Sequence, residues 1–447
     1  CLLELGDVEQ AFAAVCVAKA GVLLDLRSIA GELDSDTQAQ LEREKAEIAT
    51  LRERQREHKR ELQKKQVPAH AVEVQRAADE ASDREHRLMD KLRTIGGRSG
   101  RMEVPAPAAV RAAIPSDVAL LEYAVCGDRL RCFVVRANRP IVCRDLGLIK
   151  DTVQANDRWV IRLDSFLMGK VPASSDALRM ALASFWTRLV APLLDDIVDI
   201  KYLLIAPWDF LHQIPWGALF DGHYPGDAPT VALTICGGLL AAAPPSPTTI
   251  PGPPRLLGYE DKGSALLKHT GDELDLIERS FPHAVKHNPA RSEHLRSAPA
   301  PLLLHIAAHG RINRRVPLLS ALTLADGEFS LVEAHRLNLR GTQLVTLSAC
   351  DTGDRPHDGD MVLSHVGAFL CAGAQAVVAA LWPVRDEATP PLMDRFYTEL
   401  ARGVAPASAL VRARRALSDV YPLDGAAFQL WLGARDMPWT AIASDTS

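Results

Sequence analysis

Hydrophobic and polar positions change rhythm several times along the 447 residues, and each change marks a predicted element. Gly6 to Leu33 carry Ala, Val and Leu at helical spacing with few charges, whereas Ser35 to Lys65 are dominated by Glu, Arg, Lys and Gln. Pro68 breaks that run and Ala71 to Leu92 resume it, which predicts an antiparallel helical hairpin whose charged faces serve as a solvated arm or a partner-binding surface. Gly96 to Pro107, rich in Gly, Arg and Pro, reads as a linker. Ala119 to Tyr123 and Leu130 to Val135, separated by Cys126-Gly127-Asp128, predict a β-hairpin. A helical pattern at Ser175 to Ile197 and a strand at Tyr202 to Ile205 follow, and the proline-rich stretch Pro244 to Pro254 forms a connection.

Beyond that connection, strand and helix patterns alternate. Strands are predicted at Arg255 to Tyr259, 301–308, 343–349 and Ala376 to Leu381. Helices are predicted at Gly271 to Ser280, Leu331 to Leu337, Val362 to Ala372, Ala388 to Ala401 and Ala405 to Val420. Such alternation predicts an α/β fold with a mostly parallel sheet flanked by helices. The expected organisation is a helical region over 1–95, a linker over 96–117, and two α/β segments over 118–250 and 251–447.

Two strands in the last segment end on reactive groups. The run Leu302 to Ala308 leads into His309-Gly310, and Gln343 to Ser348 leads into Ala349-Cys350. Both runs are short and apolar on both faces, as buried strands of a parallel sheet are. In an open α/β sheet the carboxyl ends of the strands face the ligand crevice, so both side chains are expected at one edge. An imidazole beside a thiol raises its thiolate fraction and then shuttles the proton to a leaving group. Either residue alone reads more simply as a buried core group. The pair, each at a strand end with a glycine close behind, points to a cysteine nucleophile.

Composition narrows the setting. A formal charge of -5 and a pI near 6.3 give no electrostatic argument for nucleic acid as a partner. The eight cysteines lack paired CxxC spacing and several sit in apolar runs, which suits a reducing cytoplasmic location better than a disulfide framework. No segment has the layout of a signal peptide, and the apolar stretch Val231 to Ala243 is too short to span a membrane. Cys1 in place of Met suggests that further sequence precedes it.

The motifs His305-Ile-Ala-Ala-His309-Gly310 and Leu347-Ser-Ala-Cys350-Asp-Thr-Gly353 resemble the CHAT family of caspase-like peptidases, often found with tetratricopeptide repeats and more distantly related to caspases and separases. Further similarities run in the family's order: Ala206 to Pro215 upstream, then Ala368 to Ala374, Val377-Val378, Leu381-Trp-Pro-Val384, and Ala388 through Tyr397. The resemblance spans about Ala119 to Gly433. Asp358-Gly359-Asp360-Met361 and Gly425 depart from the usual family pattern.

This resemblance implies a caspase-like α/β fold, with 118–250 as an inactive caspase-like subdomain preceding the active one. It implies His309 as general base, Cys350 as nucleophile, and the backbone N–H groups of Gly310 and Cys350 as oxyanion donors, with no metal or cofactor. Asp351 is a candidate wall of the pocket for a basic residue before the cleaved bond, with local turn bonding as its alternative. Trp382, Pro383 and Val384 are candidate walls of the substrate cleft, and for Trp382 the alternative is simple core packing. In a bacterial setting the resemblance suggests a regulated endopeptidase of a defence or programmed-death system, cleaving a specific protein partner such as a gasdermin-like protein encoded nearby. An upstream repeat or sensor region would release the activity.

Competing chemistry lacks the groups it needs. A phosphate-binding loop of the tyrosine-phosphatase kind places Arg six positions after the cysteine, where this chain has Pro356. A zinc peptidase helix H-E-x-x-H needs Glu where Ile306 stands. The remaining alternative is a non-catalytic caspase-like scaffold or signalling adaptor.

Overall fold

The computed structural model describes residues 6–19, 106–173, 176–242, 251–260, 269–311, 320–351 and 359–433, together with Leu3 and isolated positions between 43 and 87. Most of the helical hairpin expected before residue 95 therefore lies outside the described residues.

All thirteen described strands belong to one sheet. The first α/β segment supplies β1 (Val118–Cys126), β2 (Arg129–Arg136), β3 (Val142–Leu148), β4 (Tyr202–Ala206) and β5 (Thr230–Thr234). The second supplies β6 (Arg255–Gly258), β7 (Val285–His287), β8 (Leu303–Arg311), β9 (Ala321–Leu324), β10 (Gly327–Ser330), β11 (Leu344–Asp351), β12 (Ala376–Ala380) and β13 (Phe428–Leu432). The main path runs β10-β9-β8-β11-β12-β13-β5-β4-β1-β2-β3, with β6 and β7 branching from β8. Its interior is mostly parallel, while β1–β2–β3 and β8–β9–β10 are antiparallel borders. The two segments meet where β13 pairs in parallel with β5, Trp431 against Leu233.

The period-2 alternation of each strand sends side chains to two different helical layers. One face carries Leu304, Ile306, Ala308, Val345 and Leu347. It packs in one cluster with residues of helices α3 (Ile149–Leu167), α4 (Asp176–Phe185) and α6 (Gly359–Cys371). The other face carries Leu303, Ala307, Leu344 and Val378, packed with helices α5 (Thr270–Ser280), α7 (Thr389–Ala401) and α8 (Pro406–Ala416). Helix α7 shows why: Leu392, Met393, Phe396, Tyr397 and Leu400 recur at three- and four-residue steps and are all buried, with prolines tolerated in its first turn.

On that second face the first segment is covered by a helical stretch over residues 8–19 (α1) and by α2 (Pro107–Ala113). Phe12 of α1 lies against Phe133 at 5.9 Å. Lys19 Nζ donates to Glu122 Oε1 at 2.5 Å and to the Ala206 carbonyl at 2.9 Å, beneath a layer where Glu122 is fully buried. The Gly237 N–H holds the second Glu122 oxygen at 2.7 Å. Across the joint, Arg414 Nε donates to Asp221 Oδ2 at 2.9 Å and Arg415 Nη2 to Asp221 Oδ1 at 2.8 Å, tying α8 to the helix Trp216–His223.

One helical stretch, Asp176–Asp196, reaches a mean hydropathy of 1.2 and the length of a membrane span. Its Leu178, Phe185, Leu189 and Leu193 pack into the core, while 28% of the apolar window as a whole is buried.

Candidate active site

Strands β8 and β11 are parallel neighbours in continuous register from Leu303–Leu344 to Gly310–Asp351. His309 and Cys350 are direct register partners in that ladder. Both strands run further than their apolar cores alone suggest, so the two residues lie within the last paired positions instead of just beyond them. Register partners on adjacent strands share a face of the sheet, so positions 309 and 350 lie side by side at its carboxyl edge. His309 is 6% exposed. Gly310 is paired on both sides, with Asp351 of β11 and Leu322 of β9.

The other predicted residues fall into two groups. Asp351 is placed by its backbone directly opposite Gly310, beside the pair. Trp382, Pro383 and Val384 follow β12, the strand on the far side of β11. The Trp382 ring is buried and meets Trp159 of α3 edge-on at 5.9 Å, so packing into the core occupies most of its surface. Pro383 and Val384 are half-buried. The turn after them is anchored, since the Arg385 N–H donates to Asp424 Oδ1 at 3.0 Å and its guanidinium lies 5.0 Å from the Tyr421 ring centre. The buried Asp424 carboxylate holds the Arg385 guanidinium above its usual range.

The strand ends around the pair carry acidic groups. Glu260 beyond β6 accepts the Gly271 N–H at 3.1 Å. Asp272 lies 3.0 Å from His269, and that bond, reinforced by Asp386 and Glu387 beyond β12, raises the His269 imidazole above its ordinary value. Among the described residues no group of three or more His, Cys, Asp and Glu is placed to hold a metal ion.

Pattern reading singled out His305 only as part of a motif and left its partners unidentified. His305 is fully buried, with Nε2 at 3.0 Å from Glu273 Oε1 of α5 and Nδ1 at 3.0 Å from the Tyr397 hydroxyl of α7. That hydroxyl donates to Thr346 Oγ1 at 2.9 Å, and Thr346 is the register partner of His305. The available signal was period-2 alternation: 305, 307 and 309 share a face, as do 346, 348 and 350.

The result is a three-layer α/β domain with a histidine and a cysteine in register at the carboxyl edge of its central parallel strands. The CHAT domain family matches residues 179–433, and the chain belongs to that family. Among individual proteins, it is 35% identical over 89 residues to the mouse (Mus musculus) protein "Tetratricopeptide repeat protein 28" and 32% identical over 108 residues to its human (Homo sapiens) counterpart. Those stretches are 20% and 23% of this chain but only 4% of either relative's length. Among solved structures, the Saccharomyces cerevisiae separase–securin complex aligns over 73% of this chain and 31% of that one, with a TM-score of 0.49 and 10% identity. The Arg-specific cysteine proteinase gingipain R aligns over 61% of this chain and 69% of that one, with a TM-score of 0.39 and 11% identity.

Proposed function

We propose that the protein is a cysteine endopeptidase in which His309 is the general base and Cys350 the nucleophile. One observation carries this reading: the direct register pairing of the two positions at the carboxyl edge of the sheet. His309 takes the thiol proton, and the Cys350 thiolate attacks a peptide carbonyl. The resulting oxyanion is stabilised by the backbone N–H groups of Gly310 and Cys350. Collapse expels the amine, which takes its proton from His309 and leaves an acyl thioester on Cys350. Water, deprotonated by His309, hydrolyses the thioester and restores the thiol. No step calls for a metal or cofactor.

Asp351 beside the nucleophile and the acidic rim of Glu260, Asp272, Asp386 and Glu387 favour a basic residue before the cleaved bond. Pro383 and Val384 flank the cleft, where an extended substrate pairs with a strand edge; Trp382 supports that wall from the core. The activity is intracellular and regulated: the N-terminal helical region, or a repeat region of the kind named in the related tetratricopeptide proteins, senses a partner and releases it. A bacterial defence role, with a gasdermin-like substrate encoded nearby, fits a peptidase of this kind.

Incubating the full chain and its Cys350→Ala variant with a broad peptide library, and mapping cleavage by mass spectrometry, tests the reading. Cleavage after Arg or Lys by the wild type alone is expected. Absence of cleavage by the activated wild type refutes the peptidase, and sites after other residues remove the role of Asp351.

A further inference from the structure

The Glu273–His305–Tyr397–Thr346 chain lies on the same face of β8 and β11 as positions 309 and 350, four residues nearer the amino ends of both strands. Burial holds the Tyr397 phenol well above its ordinary value, so it stays protonated and donates to Thr346. His305 Nδ1–H must then donate to the Tyr397 oxygen. His305 Nε2 also lies 3.0 Å from Glu273 Oε1, a close polar contact without hydrogen-bond geometry. The hydrogen bonds thus run from His305 through Tyr397 to Thr346 and link β8, α7 and β11, with Glu273 of α5 against the His305 ring.

Its surroundings argue for more than cohesion. The layer around it is apolar, built from Leu303, Ala307, Leu344, Leu392 and Phe396, and a buried polar chain is a poor source of stability where such side chains pack well. What polar bonds supply is geometry: apolar contacts tolerate small slides of one strand along another, whereas fixed donors and acceptors do not. A cysteine and histidine that exchange a proton lose much of their effect with displacements of about 1 Å.

We propose that Glu273, His305 and Tyr397 are positioning residues that lock β8 against β11 and so hold His309 at proton-transfer distance from Cys350. The proposal rests on the reading of His309 and Cys350 as a dyad. It explains the second histidine of His305-Ile-Ala-Ala-His309: one holds the strand and the other does the chemistry.

The test needs no substrate. The full chain, wild type and variant, is alkylated with iodoacetamide between about pH 5 and pH 9, and the rate at Cys350 is read by peptide mass spectrometry. The buried Cys132 and Cys236 in the same digest report whether the fold is intact. In the wild type Cys350 should react at pH values well below those of a free thiol, near 8.5. Tyr397→Phe, which removes one oxygen and keeps the ring, and Glu273→Leu should slow Cys350 at about pH 6 by roughly tenfold or more, one pH unit of profile shift, with Cys132 and Cys236 still protected. Superimposable profiles for wild type and the folded Tyr397→Phe and Glu273→Leu variants overturn the proposal and leave the dyad standing. A free-thiol profile in the wild type itself overturns the dyad, and the positioning role with it.

Discussion

Replacing Lys19 by Met removes a cation bonded to a fully buried carboxylate, and the structure sets the size and pH dependence of the effect. In the native chain Glu122 is bonded to Lys19 Nζ at 2.5 Å and to the Gly237 N–H at 2.7 Å. Burial raises the Glu122 carboxyl above its ordinary value of 4.5, and Lys19 opposes that rise. Without Lys19 the cheaper outcome is protonation of Glu122, since an unpaired buried charge costs about 3–5 kcal/mol. Protonating a carboxyl of ordinary pKa 4.5 at pH 7 costs roughly 3.4 kcal/mol at about 1.4 kcal/mol per pH unit. Part of that penalty already exists in the wild type, so the added loss at pH 7 is roughly 2–3 kcal/mol.

The sign follows from linkage. A carboxyl raised in the folded state binds protons that the unfolded chain has released, so the Lys19→Met deficit is small below pH 4.5 and grows as pH rises toward neutrality. Urea unfolding of wild type, Lys19→Met and Lys19→Met/Glu122→Gln at several pH values checks this. The double variant, with no carboxyl to titrate, should flatten the dependence. A Lys19→Met deficit below about 0.5 kcal/mol, or one independent of pH, would refute the reasoning.

Other perturbations probe different parts of the account. A side chain at Gly217 would collide with the Arg414 guanidinium, so Gly217→Ala should break the Asp221 clamp between the two segments and cost about 1–3 kcal/mol, measured by urea unfolding. Burial, helped by Lys19, holds His212 down at about 3, so the folded chain keeps it neutral while the unfolded chain protonates it below about pH 6.5. Stability should therefore fall on acidification from pH 6.5 toward 3 by up to about 1.4 kcal/mol per pH unit, and His212→Asn should remove that component. Tyr397→Phe strands the His305 Nδ1–H and the Thr346 hydroxyl, a loss of about 1–3 kcal/mol by thermal or urea unfolding.

Legibility in the sequence followed how local the determining forces are. Strands β8 and β11 could be read from continuous apolar runs because both of their faces are buried, and α7 from its three- and four-residue steps. Strand β13 could not: Phe428 to Leu432 is too short for a period, and its place is set by pairing with β12 and with β5, nearly two hundred residues away. Strand β5 was hidden because Thr230 to Thr234 runs into the apolar stretch that continues to Ala243. The helical pattern expected over Ser175 to Ile197 is helical throughout its described part to Asp196 but widens at Trp186–Val190 and tightens over Ala191–Asp196, where Pro192 cannot donate to the helical ladder. The strand-end placement of His309 and Cys350 could be read because each closes an apolar run, and the two positions are register partners. The placement of Glu273 and Tyr397 could not, because only the fold brings α5 and α7 onto His305.

The central claim, that His309 and Cys350 act as one catalytic unit, is tested most directly by a double-mutant cycle on peptide cleavage. Rates for wild type, His309→Ala, Cys350→Ala and the double variant are compared on a library-derived substrate. The account predicts that His309→Ala loses roughly 100- to 10,000-fold, that Cys350→Ala falls to background, and that the double variant falls no further. Retention of near wild-type cleavage in either single variant would contradict it.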